Sequence, residues 1–80
     1  MVTVSYDAAF KRRFQRIKDA ATKERVRKHI RKIVEHPEIG KPMMYARRGT
    51  LEVHVSPFRI SYGYIDNKVI FLDLYHKDEQ

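Results

Sequence analysis

Cysteine is absent from this chain, which excludes disulfides, thiolate metal sites and cysteine nucleophiles together. With no staple available, a core drawn from 80 residues has to hold by packing alone, and a chain of this size buries only about 60–65% of its unfolded surface. A single domain over 1–80 is the expected organisation. Tryptophan is also missing, and glycine and proline number three each, too few for a linker, a collagen-like repeat or a low-complexity segment. No run approaches the ~18 apolar residues of a membrane span. The opening Met1-Val2-Thr3-Val4-Ser5-Tyr6 has neither a basic start nor a long apolar stretch. The expectation is a cytoplasmic domain with no membrane partner. Acidic residues are scarce as well: 10 against 17 Lys and Arg, for a formal net charge of +7. Such an excess favours a polyanionic partner, either nucleic acid or an acidic protein.

The charge is concentrated in the first half, where eleven basic residues between Lys11 and Lys32 face only Asp19 and Glu24. The apolar residues there repeat with helical spacing. Asp7 can cap a first helix whose stripe is Phe10, Phe14 and Ile17. A second helix is expected from Thr22, with Val26, Ile30, Ile33 and Val34 as its stripe and Pro37 stopping it near Glu35 or His36. After Gly40-Lys41-Pro42 the period changes from about 3.6 to 2. Leu51, Val53 and Val55 alternate with Glu52, His54 and Ser56, and beyond Ser56-Pro57 the residues Phe58, Ile60, Tyr62 and Tyr64 alternate with Arg59, Ser61 and Gly63. Asp66-Asn67 suits a tight hairpin turn, because both residue types tolerate positive φ. Lys68 to Tyr75 is apolar on both faces and should be an internal strand. Val2 to Tyr6 forms a short first strand, and Met43 to Arg47 is a further candidate. The expected class is α+β in the order β-α-α-β-β-β, a helical hairpin on one face of an antiparallel sheet with Phe10, Phe14, Ile17, Val26, Ile30, Ile33, Leu51, Val53, Ile60 and Leu72 in the shared core.

This order and length resemble the RelE/ParE superfamily, small prokaryotic toxins of type II toxin–antitoxin systems. The likeness rests on the basic hairpin, on the His36-Pro37 helix end, on Leu74-Tyr75-His76-Lys77, and above all on Arg48 to Tyr62, where Phe58-Arg59-Ile60-Ser61-Tyr62 resembles the family's aromatic-Arg-aliphatic-x-Tyr strand. The resemblance implies a RelE-like toxin domain that cleaves mRNA, at the ribosome or free of it, and so inhibits translation, restrained by a cognate acidic antitoxin of RelB type. A toxin–antitoxin heterotetramer is among the assemblies it allows. The alternative it admits is a ParE-like inhibitor of DNA gyrase that is not an enzyme, and a basic nucleic-acid-binding module is a third reading. The C-terminal helix of some relatives has no counterpart before Gln80, which would reduce activity.

Cleaving RNA by attack of a 2′-hydroxyl on the adjacent phosphate requires a base, an acid for the departing 5′-oxygen, and cations around the phosphorane. Side chains can supply all three, and no metal or cofactor is expected. By alternation Glu52, His54 and Arg59 share the sheet face opposite Leu51, Val53, Phe58 and Ile60. Arg59 corresponds to the family's arginine and can bind two phosphate oxygens with its planar fork. The alternative for it is an ion pair with Glu52 or Asp73. Glu52 and His54 stand where the best-known member of the family has two lysines. Glu52 is expected as the base and His54 as a ligand of the phosphate or 2′-hydroxyl; otherwise both are solvated cross-strand partners. His76 resembles the terminal histidine of one nuclease branch and is expected as the general acid, since imidazole changes charge near neutral pH. Strict parity, however, puts Tyr75 rather than His76 on the Glu52 face. Tyr75 and Lys77 are expected to bind RNA by stacking and by charge, with Arg47 and Arg48 touching its backbone. His29 and His36 stand seven apart on one helix, roughly 10 Å along the axis, too far to share an ion.

Overall fold

The computed structural model describes residues 2–43 and 49–76. Strand β1 (Thr3–Tyr6) leads into helices α1 (Ala8–Gln15) and α2 (Ala20–Glu35). A 3₁₀ turn (Pro37–Ile39) and strands β2 (Lys41–Pro42), β3 (Thr50–Val55), β4 (Phe58–Ile65) and β5 (Lys68–His76) follow. Each helix starts on an aspartate. The Asp7 carboxylate accepts the N–H of Ala9 at 2.9 Å. Asp19 accepts both the backbone N–H and the hydroxyl of Thr22, satisfying donors that the first turn leaves unpaired. Helix α2 therefore begins at Ala20 rather than Thr22, because Asp19 is the cap and Thr22 its partner three residues in. It ends at Glu35, with Pro37 opening the 3₁₀ turn. The helices meet at Phe14, whose ring lies beneath the Lys23 ammonium, 5.2 Å from its centroid, and the Arg27 guanidinium at 5.5 Å. Among the described residues no helix is long and apolar enough to cross a membrane.

The sheet runs in the order β1-β5-β4-β3-β2. It is mixed rather than wholly antiparallel, since β1 lies beside β5 and runs parallel to it, Val4 against Val69 and Tyr6 against Phe71. β5 is internal between β1 and β4, as its two apolar faces require. The β4–β5 hairpin turns on Asp66 and Asn67, with φ of 51° and 62°. The short strand β2 pairs Lys41 with Glu52 and Pro42 with Leu51. Of the further strand expected at Met43–Arg47, Met43 donates its N–H to Thr50 O, while residues 44–48 lie outside the described ones.

One sheet face packs on the helices. Phe10, Ile17, Val26 and Ile33 are buried there against Val55, Ile60, Tyr62, Val69, Phe71 and Leu74. Phe14, Ile30, Leu51 and Val53, expected in the core, pack half-buried at its margin. Leu72 was expected inside as well, but a bulge between Ser61 and Tyr62 pairs Ser61 with Asp73 and Tyr62 with Phe71, leaving Leu72 as the extra residue. The inward phase therefore passes from Val69 and Phe71 to Leu74, and Leu72 joins Ile70 on the opposite side. Tyr62 crosses the core completely. Its hydroxyl donates to Pro37 O at 2.6 Å and accepts the Gly40 N–H at 3.0 Å, tying the 3₁₀ turn to the sheet.

Candidate functional site

The face away from the helix-packed core carries the polar residues of β3, β4 and β5. Register brings them side by side: Glu52 opposite Ser61, His54 opposite Arg59, and Arg59 in turn opposite Tyr75. The side chains converge on Glu52. Arg59 Nη1 donates to Glu52 Oε1 at 3.3 Å, and the Tyr75 hydroxyl donates to Glu52 Oε2. Of the two pairings weighed for Arg59 the structure thus forms the one with Glu52, while Asp73 pairs with Arg13 of α1. Both members of the Arg59–Glu52 pair are about one-quarter exposed, at 27% and 25%. At 3.3 Å their contact is long for a charge-assisted hydrogen bond, so an arriving anion can take the guanidinium over. Arg59 Nε is buried and has no hydrogen-bond partner among the described residues. A buried donor without an acceptor is costly, and a phosphate oxygen would satisfy it.

Beside this cluster lies a cavity of about 470 Å³ lined by Glu52, His54 and Arg59, by Lys41 of β2, and by His29 and Lys32 of α2. Among the described residues β2 pairs with Leu51 and Glu52 and leaves the edge of β3 at Val53 and His54 without a partner strand, and α2 lines the cavity from that side. Three permanent cations there surround one carboxylate, so the cavity suits an anion. Neither Lys32 nor Lys41 is engaged by an ion-pairing carboxylate of the described residues. Sequence reasoning missed Lys32 and Lys41 and weighed His29 only as a metal ligand. The available signal was that His29 and Lys32, three apart, share a helix face beside the buried Ile33.

His76 stands elsewhere. Strand β5 continues to residue 76, and beyond the bulge at Leu72 its alternation persists to that end. His76 pairs with Phe58, across the sheet from the Arg59–Tyr75 pair, and its ring meets Phe58 edge-on with centroids 5.7 Å apart. The expectation that it would join Glu52 and Arg59 is therefore corrected: Tyr75 occupies that place. Arg47, Arg48 and Lys77 lie outside the described residues.

Searches among known proteins place the chain by family and by fold. No curated protein matches it. Its fold is similar to that of the isolated Escherichia coli RelE toxin, at a TM-score of 0.80 and 15% identity over 95% of this chain and 84% of that one. It is also similar to a chain of the RelBE2 toxin–antitoxin complex of Mycobacterium tuberculosis, at a TM-score of 0.77 and 21% identity over 95% and 98%. The Staphylococcus aureus YoeB dimer matches at 0.77 and 13% identity over 94% and 97%. Residues 4–80 match the family model described as the ParE toxin of type II toxin–antitoxin systems, and by that match the chain belongs to this toxin family.

Proposed function

We propose that this toxin is an endoribonuclease that cleaves mRNA at the ribosome in the cytoplasm and is held inactive by a cognate acidic antitoxin. The observation that carries the reading is the convergence of Arg59 and Tyr75 on Glu52 beside a cation-lined cavity. Arg59 binds the scissile phosphate, exchanging its long contact with Glu52 for the phosphate oxygens and pairing its buried Nε. Glu52, so released, accepts the proton of the 2′-hydroxyl. The 2′-oxygen bonds to phosphorus and the bond to the 5′-oxygen breaks, giving a 2′,3′-cyclic phosphate and a 5′-hydroxyl. Arg59 stabilises the phosphorane, whose charge exceeds that of the ground state. His54, beside Arg59, ligates the phosphate or the 2′-hydroxyl, and Tyr75 orients Glu52 and offers a ring to a neighbouring base. None of these steps calls on a metal or cofactor. Arg47, Arg48 and Lys77 extend the RNA contact by charge. An antitoxin of RelB type covers the basic surface, in keeping with the toxin–antitoxin complexes among the similar structures.

A second reading, gyrase inhibition, is favoured by the ParE description of the matching family. Inducing the protein in cells, mapping mRNA 5′ ends and scoring gyrase-linked DNA breaks separates the two. New 5′-hydroxyl ends inside coding regions without DNA breaks are expected; breaks with intact mRNA would overturn the endoribonuclease in favour of the inhibitor.

A further inference from the structure

The 5′-oxygen leaving in that reaction needs a proton, and His76, on the helix-packed side of the sheet against Phe58, is badly placed to give one. From the α2 wall of the cavity we infer that His29 is the general acid, an assignment that rests on the endoribonuclease reading. Its Nδ1 lies 2.9 Å from the backbone oxygen of Arg25. A carbonyl only accepts, so Nδ1 carries the hydrogen and the ring is held with Nε2 as its remaining proton site. His29 and His54 line the same two neighbouring cavities, one shared with Glu52 and Arg59 and the other with Arg25. A phosphate gripped by Arg59 therefore has Glu52 on the sheet and His29 on the helix as separate proton-transfer groups. Proton acceptor and donor on different walls are what in-line displacement requires, because the attacking and leaving oxygens lie on opposite sides of phosphorus.

The step balances. The 2′-hydroxyl proton passes to Glu52, the O2′–P bond forms, the P–O5′ bond breaks, and the 5′-oxygen takes the proton from Nε2 of the imidazolium. The reaction leaves Glu52 protonated and His29 neutral. Among the described residues, the charged and titratable groups facing His29 are Arg25 and Lys32 on its own helix, Lys41 on β2, Glu52 and His54 on β3, and Arg59 on β4.

The test uses ribosomes programmed with an mRNA whose mapped scissile phosphate carries either the normal 5′-oxygen or a bridging 5′-sulfur. A thiolate leaves without protonation. Single-turnover rates are measured for wild type, His29→Ala, His29→Gln and His54→Ala from pH 5 to 9. Both His29 variants should slow the oxygen substrate by about 10²–10⁴, lose the alkaline limb of its pH profile, and cleave the sulfur substrate at nearly the wild-type rate. His29→Gln, which stays polar, guards against a packing defect in the alanine variant. Equal slowing of both substrates would make His29 merely structural, and selective rescue of His54→Ala instead would assign the acid to His54; either result overturns the inference while leaving the endoribonuclease standing. Failure of wild type to cleave either substrate would remove the underlying reading and the inference with it.

Discussion

At the scale of single residues, Tyr62 shows how a polar atom is accommodated in so small a core. The ring is fully buried, and its hydroxyl is the point at which the 3₁₀ turn after α2 is fastened to β4. That fastening explains Gly40. A Cβ there would lie 2.6 Å from the Tyr62 hydroxyl and 2.9 Å from Leu51 Cβ, so only glycine admits the approach. Burial pushes the Tyr62 phenol above its ordinary value, partly offset by the Gly40 N–H and reinforced by Glu38. The raised folded value means that the native state holds the phenolic proton more tightly. The associated stability is complete below pH ~10 and is lost as pH rises through the folded value. Tyr62→Phe, which leaves the Pro37 carbonyl and the Gly40 N–H without this partner, should cost about 1–3 kcal/mol at neutral pH. It should also flatten the fall in stability above pH 10. Denaturant midpoints at pH 7 and 10.5 check both parts, and an unchanged alkaline slope would contradict the assignment.

At the scale of elements, caps and register decide what the apolar pattern leaves open. The Asp19 carboxyl sits below the ordinary aspartate value, chiefly through the Thr22 side-chain hydrogen bond and then the Thr22 backbone N–H. A depressed folded value gives stability that is present above the unfolded value and lost as pH falls through the folded one. Asp19→Asn, an equally good cap, should match wild type at pH 7 and lose less stability between pH 4 and 2, as read from thermal midpoints. Much of this architecture was legible: the Phe10–Phe14–Ile17 and Val26–Ile30–Ile33 stripes, the β3–β4 alternation and the Asp66-Asn67 turn follow from spacing and turn chemistry. Other features were not. The start of α2 depends on which of two capping residues the backbone uses, and the inward phase of β5 shifts at a bulge that no composition marks. The parallel seat of β1 is a long-range pairing. At the site, alternation along β3 and β4 was enough to unite Glu52, His54 and Arg59 on one face. His29, Lys32 and Lys41 come from other elements that reach the open edge of β3, a juxtaposition that arises only on folding.

At the scale of the whole molecule, +7 of formal charge on 80 residues is unbalanced, and the basic helices give it direction. Complementary potentials accelerate encounter, and the acceleration falls as salt screens it. Association of the toxin with the acidic antitoxin proposed for it should therefore slow by at least tenfold between 50 and 500 mM salt in stopped-flow mixing; a rate independent of salt would remove charge as the steering force. If the protein is the endoribonuclease proposed above, the same field would draw RNA toward the cation-lined cavity, where Arg59 would stabilise the transition state of cleavage. Single-turnover cleavage of ribosome-bound mRNA by wild type and Arg59→Ala tests it most directly. Wild type should cleave, and Arg59→Ala should be slower by roughly 10²–10³, the effect of losing one charge-stabilising donor. Undiminished cleavage by Arg59→Ala, or no cleavage by wild type, would contradict it.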